Sequence, residues 1–451
     1  MKKNTYKNKN ELSKLIYPLL LEQLLVVLTG AINTIMISKV GEAAVSAVSL
    51  VDMLNFLIIT IFMGLSTGGS ILSSRFVGEN KKNMIPKVFS HLLILVISCS
   101  LLFMVIGLIG NVSLLKFVFG AIETDVLMNA NQYLKIIVCS FPFLSIYSSS
   151  TAILKGLGKF KISMAISFVM NLLNIIGNYI LVYHLHLGIL GVAIPTLFAR
   201  GIAALISFLL AKRQMNIPIK IGLTKLNKKL MKDMLNISVP GCIELSIFQL
   251  GKIIVLGLVA RLGTNAIAAN AIGNMINNVQ ALPEDAISIA LLTLVSKNLG
   301  CNNLEGAKEY VKKLMKLIYH FMIVLNIVIF LSAGFIAQVF ALSPETNEMT
   351  INIIRFNCIF AITVWPLAFA LPNALKGATD VKYLLIVSLS SMWIFRVGLS
   401  YLVITILPGN IYLLYICFAV DWVVRAAMFL GRYMSGKWYF IYKKNTQGAT
   451  F

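Results

Sequence analysis

The sequence predicts an all-α polytopic membrane protein of twelve transmembrane helices in two parallel six-helix repeats. Three observations carry that expectation. Apolar runs recur about every 35–40 residues, and most reach the ~20 residues that cross a bilayer. Basic residues collect in alternate connections between the runs. The second half of the chain repeats the first at a fixed shift. Of the 451 residues 58% are hydrophobic and 12% charged, where a soluble domain carries about 25% charged residues. A β-barrel would alternate apolar and polar residues, and this chain does not.

Taken in order, the spans fall at 15–38, 46–73, 88–110, 126–153, 162–183 and 188–211, then 238–261, 267–294, 316–340, 351–374, 382–406 and 411–431. The first run follows a Lys-rich head without a small-residue cleavage pattern, so it is expected to stay as span 1. The connections test the count. Segments 1–14, 75–87, 155–161, 212–232, 297–316, 376–382 and 432–444 carry 5, 4, 3, 7, 5, 2 and 4 lysines plus arginines, 30 of the chain's 39. On the other side, 184–187 and 407–410 carry none, and 341–350 has only Glu345 and Glu348. The positive-inside rule then places both termini in the cytoplasm of a cell membrane. The domains expected are an N-lobe 1–211 (spans 1–6), a cytoplasmic linker 212–237 with an amphipathic helix, and a C-lobe 238–451 (spans 7–12).

A shift of 222 residues aligns "VGEAAVSAVSLVDMLN" with "LGTNAIAANAIGNMIN" without a gap. Eight pairs between positions 41 and 81 are identical, among them Gly41/Gly263, Asn55/Asn277, Gly78/Gly300 and Asn80/Asn302. The same shift places Pro18 on Pro240 and Glu22 on Glu244, and a shift of 221 aligns "LKGLGKFK" at 154 with "LKGATDVK" at 375. Six is an even number of spans, so both halves share one orientation. Parallel repeats related by an axis along the membrane normal are a transporter architecture.

The net charge of +22 does not point to nucleic acid, because it sits in short connections as a topology signal. The six cysteines lack metal or redox spacing, and the H-L-H of His184 and His186 is a short loop rather than a ligand set. No His, Asp or Ser cluster has catalytic spacing, so an enzyme is not expected.

At this point the residues resemble a known family. "KFKISMAISFVMNLLNIIGNYILVY" followed by "LGILGVAIPTLFAR" resembles spans 5 and 6 of the multidrug and toxic compound extrusion (MATE) transporters. "GLSTGGSILSSRFVGENKK" and "ALPEDAISIALLTLVSKNLGCNNLEGAKEY" are similar to the ends of that family's spans 2 and 8. The two L-K-G motifs and the closing "RYMSGKW" also fit. The resemblance implies a V-shaped pair of lobes and a monomer that exports cationic or amphipathic organic compounds by antiport with protons or sodium ions. No cofactor is implied beyond that coupling ion, and the partners are a small-molecule substrate and the lipid bilayer. The chain is closer to the DinF-like than to the NorM-like branch. It departs from both at the ion site. The DinF-like aspartate of span 1 is matched by Asn33, and the Asn/Asp pair of span 5 by Asn174 and Asn178. The span 6 threonine is matched by Thr196. The NorM-like acid of span 7 would fall near Phe248, and span 10 has no acid.

Ionisable residues within spans cost roughly 2.5–3.5 kcal/mol on insertion scales and mark function. Glu22 lies about seven residues into span 1, ~10 Å deep at 1.5 Å per residue, and Glu244 at a similar depth in span 7. Two readings stay open. As a structural group, a neutral glutamate caps backbone freed by Pro18 or Pro240. As a coupling group, it exchanges a proton when water reaches it, since a carboxyl's proton affinity depends on its solvation. Eleven residues bring Asn33 to the face of Glu22. Ser167, Asn171, Asn174 and Asn178 follow i, i+4, i+7, i+11 as one polar stripe of span 5, either interhelical glue or the lining of a wet cavity. Span 2 offers Asp52 and Asn55, and its repeat Asn274 and Asn277. Glu284 and Asp285 follow Pro283 at an expected break in span 8. Lys252 stands midway along span 7 with no partner in its own helix, and Arg396 with the Asp421/Arg425 pair reads as ion pairing.

The expected coupling set is therefore Glu22, Asp52, Asn33, Asn174, Asn178, Thr196 and Glu244, with protons favoured over sodium. The expected substrate cleft holds Asn55, Asn171, Lys252, Asn274 and Asn277, and no metal site is expected. The alternative is a lipid or oligosaccharide flippase of the same superfamily, kept open by Lys252 and Lys135. A membrane-embedded enzyme is remote.

Overall fold

The computed structural model describes residues 9–120, 123–215, 227–340, 342–406 and 410–447, and all regular structure among them is helical. Ten helices are long and apolar enough to cross a membrane, and two bent helix pairs raise the count to twelve. Spans 1–3 are Lys9–Ser38, Glu42–Gly78 and Ile85–Phe119. Span 4 is Thr124–Cys139 with Phe141–Gly156, span 5 is Phe160–Asn178 with a π-helical turn Tyr179–His184, and span 6 is Leu190–Met215. Spans 7–9 are Lys228–Ala260, Thr264–Gly300 and Leu304–Gln338. Span 10 joins Pro344–Thr363, a π turn Pro366–Ala370 and Leu371–Gly377. Span 11 is interrupted by a π turn, Met392–Gly398, and span 12 is Ile411–Met434, followed by a helix Lys437–Gln447.

Most helices outrun their apolar stretch. Span 9 begins twelve residues before the expected 316 because the Asn303 side chain caps it, accepting from the Gly306 N–H at 2.9 Å, and a capped polar turn extends a helix beyond the membrane. Two spans bend where proline withdraws a backbone donor, span 4 by 45° before Pro142 and span 10 by 61° before Pro366. The break expected at Pro283 is absent, since span 8 runs unbroken through it. Large apolar side chains such as Ile109 and Phe117 are 82% and 89% exposed, a surface suited to lipid rather than water.

Contacts divide the chain into an N unit, Lys7–Cys242, and a C unit that includes Ile243–Phe451. The boundary falls inside span 7, and the middle of the expected linker, 216–226, lies outside the described residues. In the N unit the foot of span 7 is seated on span 2: Ser238 donates to the Leu65 carbonyl at 2.8 Å. Gly64 and Gly68 allow this approach, because a Cβ on Gly68 would stand 2.1 Å from the Ser238 hydroxyl. Spans 4, 5 and 6 pack on one another, with span 1 against span 5. In the C unit spans 8, 9 and 10 pack mutually, and span 12 lies against the bends of spans 10 and 11.

Candidate functional site

The i, i+4, i+7, i+11 stripe of span 5 sets the first feature. Asn174 and Asn178 point from it toward Asn33 of span 1 and Thr196 of span 6, and the four residues close a hydrogen-bonded cluster inside the N unit. Asn33 Nδ2 donates to Asn174 Oδ1 at 2.9 Å, and Asn178 Nδ2 donates back to Asn33 Oδ1 at 2.9 Å. Asn174 Nδ2 donates to Thr196 Oγ1 at 2.9 Å, and Thr196 passes its proton to the Val192 carbonyl at 3.0 Å. Asn178 is fully buried, and its Oδ1 has no partner. Asn171 stands one turn away, donating to Ser167 Oγ at 3.4 Å. The cluster carries no formal charge.

The second feature occurs once in each unit. Glu22 is buried, and its Oε1 pairs with Lys155 Nζ at 2.9 Å. Glu244 Oε2 pairs with Lys376 Nζ at 3.2 Å. Both lysines are the K of an L-K-G motif, so the duplicated motif closes on the duplicated glutamate. The glycine of each motif has a separate cause. A Cβ on Gly156 would stand 2.8 Å from the Ser70 carbonyl, and a Cβ on Gly377 would stand 2.8 Å from the Leu292 carbonyl. Ser70 and Leu292 are themselves 222 residues apart. The motif thus seats the fourth span of each repeat on its second span and ties it to its first.

The two clamps differ in one atom. Glu244 Oε1 accepts from Ser388 Oγ at 2.8 Å, so both its oxygens are engaged. The counterpart of Ser388 is Ser167, which instead accepts from Asn171, and Glu22 Oε2 is left buried without a partner. Neither glutamate caps a carbonyl freed by proline, which the structural reading of the sequence expected. Sequence reasoning missed both lysines by counting them as cytoplasmic charges, although their motif matched itself at nearly the shift of the glutamates.

Asp52 is exposed on span 2, with the Tyr133 hydroxyl donating to its Oδ1 at 3.4 Å. Beside it is Arg200 of span 6, buried and passed over in the sequence. Its Nη1 donates to Ser140 Oγ at 2.7 Å, at the bend of span 4, and its Nη2 donates to Asn55 Oδ1 at 3.3 Å. Asn274 and Asn277 form no side-chain hydrogen bond among the described residues, and Asn274 is exposed.

The third feature lies within the C unit. Asp421, fully buried, pairs with Arg425 Nε at 2.9 Å and Arg396 Nε at 3.2 Å. Arg425 Nη2 also donates to the Ser388 carbonyl at 2.9 Å. Aromatic rings enclose these charges: Trp365 lies 4.5 Å from Phe369 and 5.1 Å from Trp422, centroid to centroid. Lys252 Nζ rests 5.2 Å from the Phe248 centroid. Asp285 is exposed on span 8, while Glu284 is buried and accepts from Ser288 Oγ at 2.7 Å.

Ten to twelve spans in two repeats, with amide and ion-pair clusters inside the spans, define a multi-pass membrane protein of transporter architecture. Residues 18–180 and again 240–402 match the MatE family model, so the chain belongs to the MatE family. The two matches start at Pro18 and Pro240, the 222-residue shift found in the sequence. The chain is 22% identical over 435 residues to the probable multidrug resistance protein NorM of Thermotoga maritima, covering 95% of this chain and 93% of that one. It is 25% identical over 446 residues to the transporter YisQ of Bacillus subtilis, covering 95% and 94%. Its fold is shared with a solved multidrug resistance MATE family transporter of the MOP superfamily in an outward-facing conformation. That match has a TM-score of 0.87 and 20% identity, covering 96% of each chain. A crystal structure of MATE in the bent conformation gives a TM-score of 0.88 at 19% identity, covering 97% of each.

Proposed function

We propose that this chain is a secondary active exporter of cationic or amphipathic organic compounds, driven by cation antiport and coupled to protons. The observation that carries proton coupling is the contrast inside the N unit. The amide cluster at Asn33, Asn174 and Asn178 is neutral and holds no acid. Among the described residues it and Glu22 each keep one buried oxygen without a partner, and only the Glu22 oxygen belongs to an acid that can take up and release a proton. A sodium ion is held by several oxygens at once, and amides without a carboxylate would hold it weakly. A proton needs one lone pair, and Glu22 Oε2 has it. On this reading the chain is a DinF-like variant in which Asn33 and Asn178 stand where that branch has aspartates. Both termini are cytoplasmic, so a cysteine placed at Lys228 reacts only with reagents that cross the membrane.

Transport in proteoliposomes under a proton or a sodium gradient, imposed separately, tests the coupling. Glu22→Gln keeps an oxygen for Lys155 but no longer titrates. It is expected to fold and bind substrate yet lose gradient-driven export, while Glu22→Asp keeps part of it. Wild-type rates in Glu22→Gln at equal expression would remove Glu22 from the mechanism and leave Asp52 as the candidate.

A further inference from the structure

Lys252 lies eight residues from the end of span 7 at Ala260, and it is exposed. A lysine in a membrane helix usually stretches toward the nearer interface. This one leans the other way. Its ammonium lies over Phe248, one turn back toward the middle of the helix. Phe248 faces the interior of the C unit, with its ring 6.4 Å from Phe369 of span 10 and carrying the guanidinium groups of Arg425 at 5.0 Å and Arg396 at 5.7 Å. Gly251 makes room for that approach to span 11, since a Cβ there would meet Met392 Cε at 2.4 Å. Lys252 is therefore exposed beside a ring that faces the interior of the C unit, near residues of spans 10, 11 and 12.

Its charge is not cancelled there. Asp421 takes both arginines. Lys252 forms no ion pair among the described residues, although the Asp285 carboxylate of span 8 is near enough to act on its charge. Of the three cations Lys252 alone is exposed, and it is the one without an ion pair among the described residues. Beside it, Phe248, Phe369 and Trp365 form an aromatic wall. A free ammonium against an aromatic face fits an acidic group attached to a flat apolar body.

We infer that Lys252 anchors the acidic group of an amphipathic organic anion, whose apolar body lies on the Phe248–Phe369–Trp365 wall. The inference rests on the exporter reading only in taking that ligand for a substrate. It narrows the substrate class away from the cations that the family resemblance suggests. An acidic lipid headgroup and a free aromatic carboxylate share the required chemistry.

The test is calorimetric binding of a naphthalene carboxylate, and of the same ring bearing a trimethylammonium group, to protein in phosphatidylcholine nanodiscs, with empty nanodiscs subtracted. Wild-type protein is expected to bind the carboxylate at least tenfold more tightly than the ammonium compound. Lys252→Gln should abolish that preference, Lys252→Arg keep it and Lys252→Glu reverse it. Equal binding of the two probes by wild type overturns the inference without any variant, and so does an unchanged carboxylate affinity in Lys252→Gln. Replacing phosphatidylcholine by phosphatidylglycerol identifies the source: a lipid ligand competes the carboxylate away, and a soluble one does not. Lys252-dependent binding without gradient-driven flux sinks the exporter reading and keeps the site. Gradient-driven flux of the ammonium compound, with no preference for the carboxylate, does the reverse.

Discussion

The N and C units descend from one repeat and differ in where they keep charge. Both retain the Glu–Lys clamp and the glycine beneath it. Elsewhere the polar residues part company. At the 222-residue shift Asn33 becomes Val255 and Gly30 becomes Lys252, and at the 221-residue shift Arg200 becomes Asp421. The N unit gathers neutral amides between spans 1, 5 and 6, and the C unit gathers arginines, a lysine and acids among aromatic rings. The repeated clamp ties spans together in both units, while the polar clusters beside it differ. A duplicated fold can specialise in this way because its packing contacts lie at helix ends and glycine crossings, away from the mid-span positions that changed.

The largest effect should come from the charged unit. Among the described residues Asp421 is the one carboxylate paired with both Arg396 and Arg425. Asp421→Ala leaves two buried guanidinium groups without it, and breaking a buried pair costs about 3–5 kcal/mol. Loss of monodisperse protein in detergent, or a fall in melting temperature far beyond that of any N-unit variant, is expected. A melting temperature within a degree or two of wild type would mean that the arginines find water or other acceptors, and that the C-unit charges are more mobile than their geometry shows.

The fold was legible because bilayer thickness and the charge rule act over whole segments, and twelve spans each give an independent reading. The repeat was legible for a related reason: Gly41, Asn80 and their mates sit at φ values of 126°, 58°, 97° and 53°, positions where few residue types fit. The amide cluster followed from the helical spacing in span 5. The lysine partners did not follow, because position along the chain places Lys155 at a helix end, while its long stem carries the ammonium back to Glu22. Arg200 was missed for another reason. Its partners Ser140 and Asn55 come from a bend and a distant span, and the π turn that presents Arg396 depends on neighbours that one-dimensional spacing does not contain.

The clamps offer an intermediate effect and a direct comparison of the two repeats. Lys155→Met strips Glu22 of its one partner among the described residues, whereas Lys376→Met leaves Glu244 with the Ser388 hydroxyl. The N-unit variant should be less stable than the C-unit variant by about the value of one hydrogen bond to a charged group, ~1.5–3 kcal/mol. Adding Ser388→Ala to Lys376→Met should remove the difference. Thermal melts of the four proteins in one detergent measure it. Equal losses in the two single variants would show that Glu22 Oε2 acquires a partner and that the repeats are alike at this atom.

The smallest effect on stability is expected at Thr196, and there the two units should separate most clearly in function. Thr196→Val keeps the shape of the side chain and deletes the oxygen that accepts from Asn174 and donates to Val192. Polar contacts between membrane helices average ~0.6 kcal/mol and reach about 1.7, so the melting temperature should fall by only a few degrees. The amide cluster nevertheless loses one corner, and Asn174 Nδ2 is freed to turn. If the cluster positions the groups that exchange the coupling ion, gradient-driven export should fall severalfold while substrate binding holds. The C-unit variant Asp421→Ala should instead lose binding, export and stability together. Unchanged export in Thr196→Val would reduce the cluster to interhelical glue and leave Glu22 to carry the coupling without it.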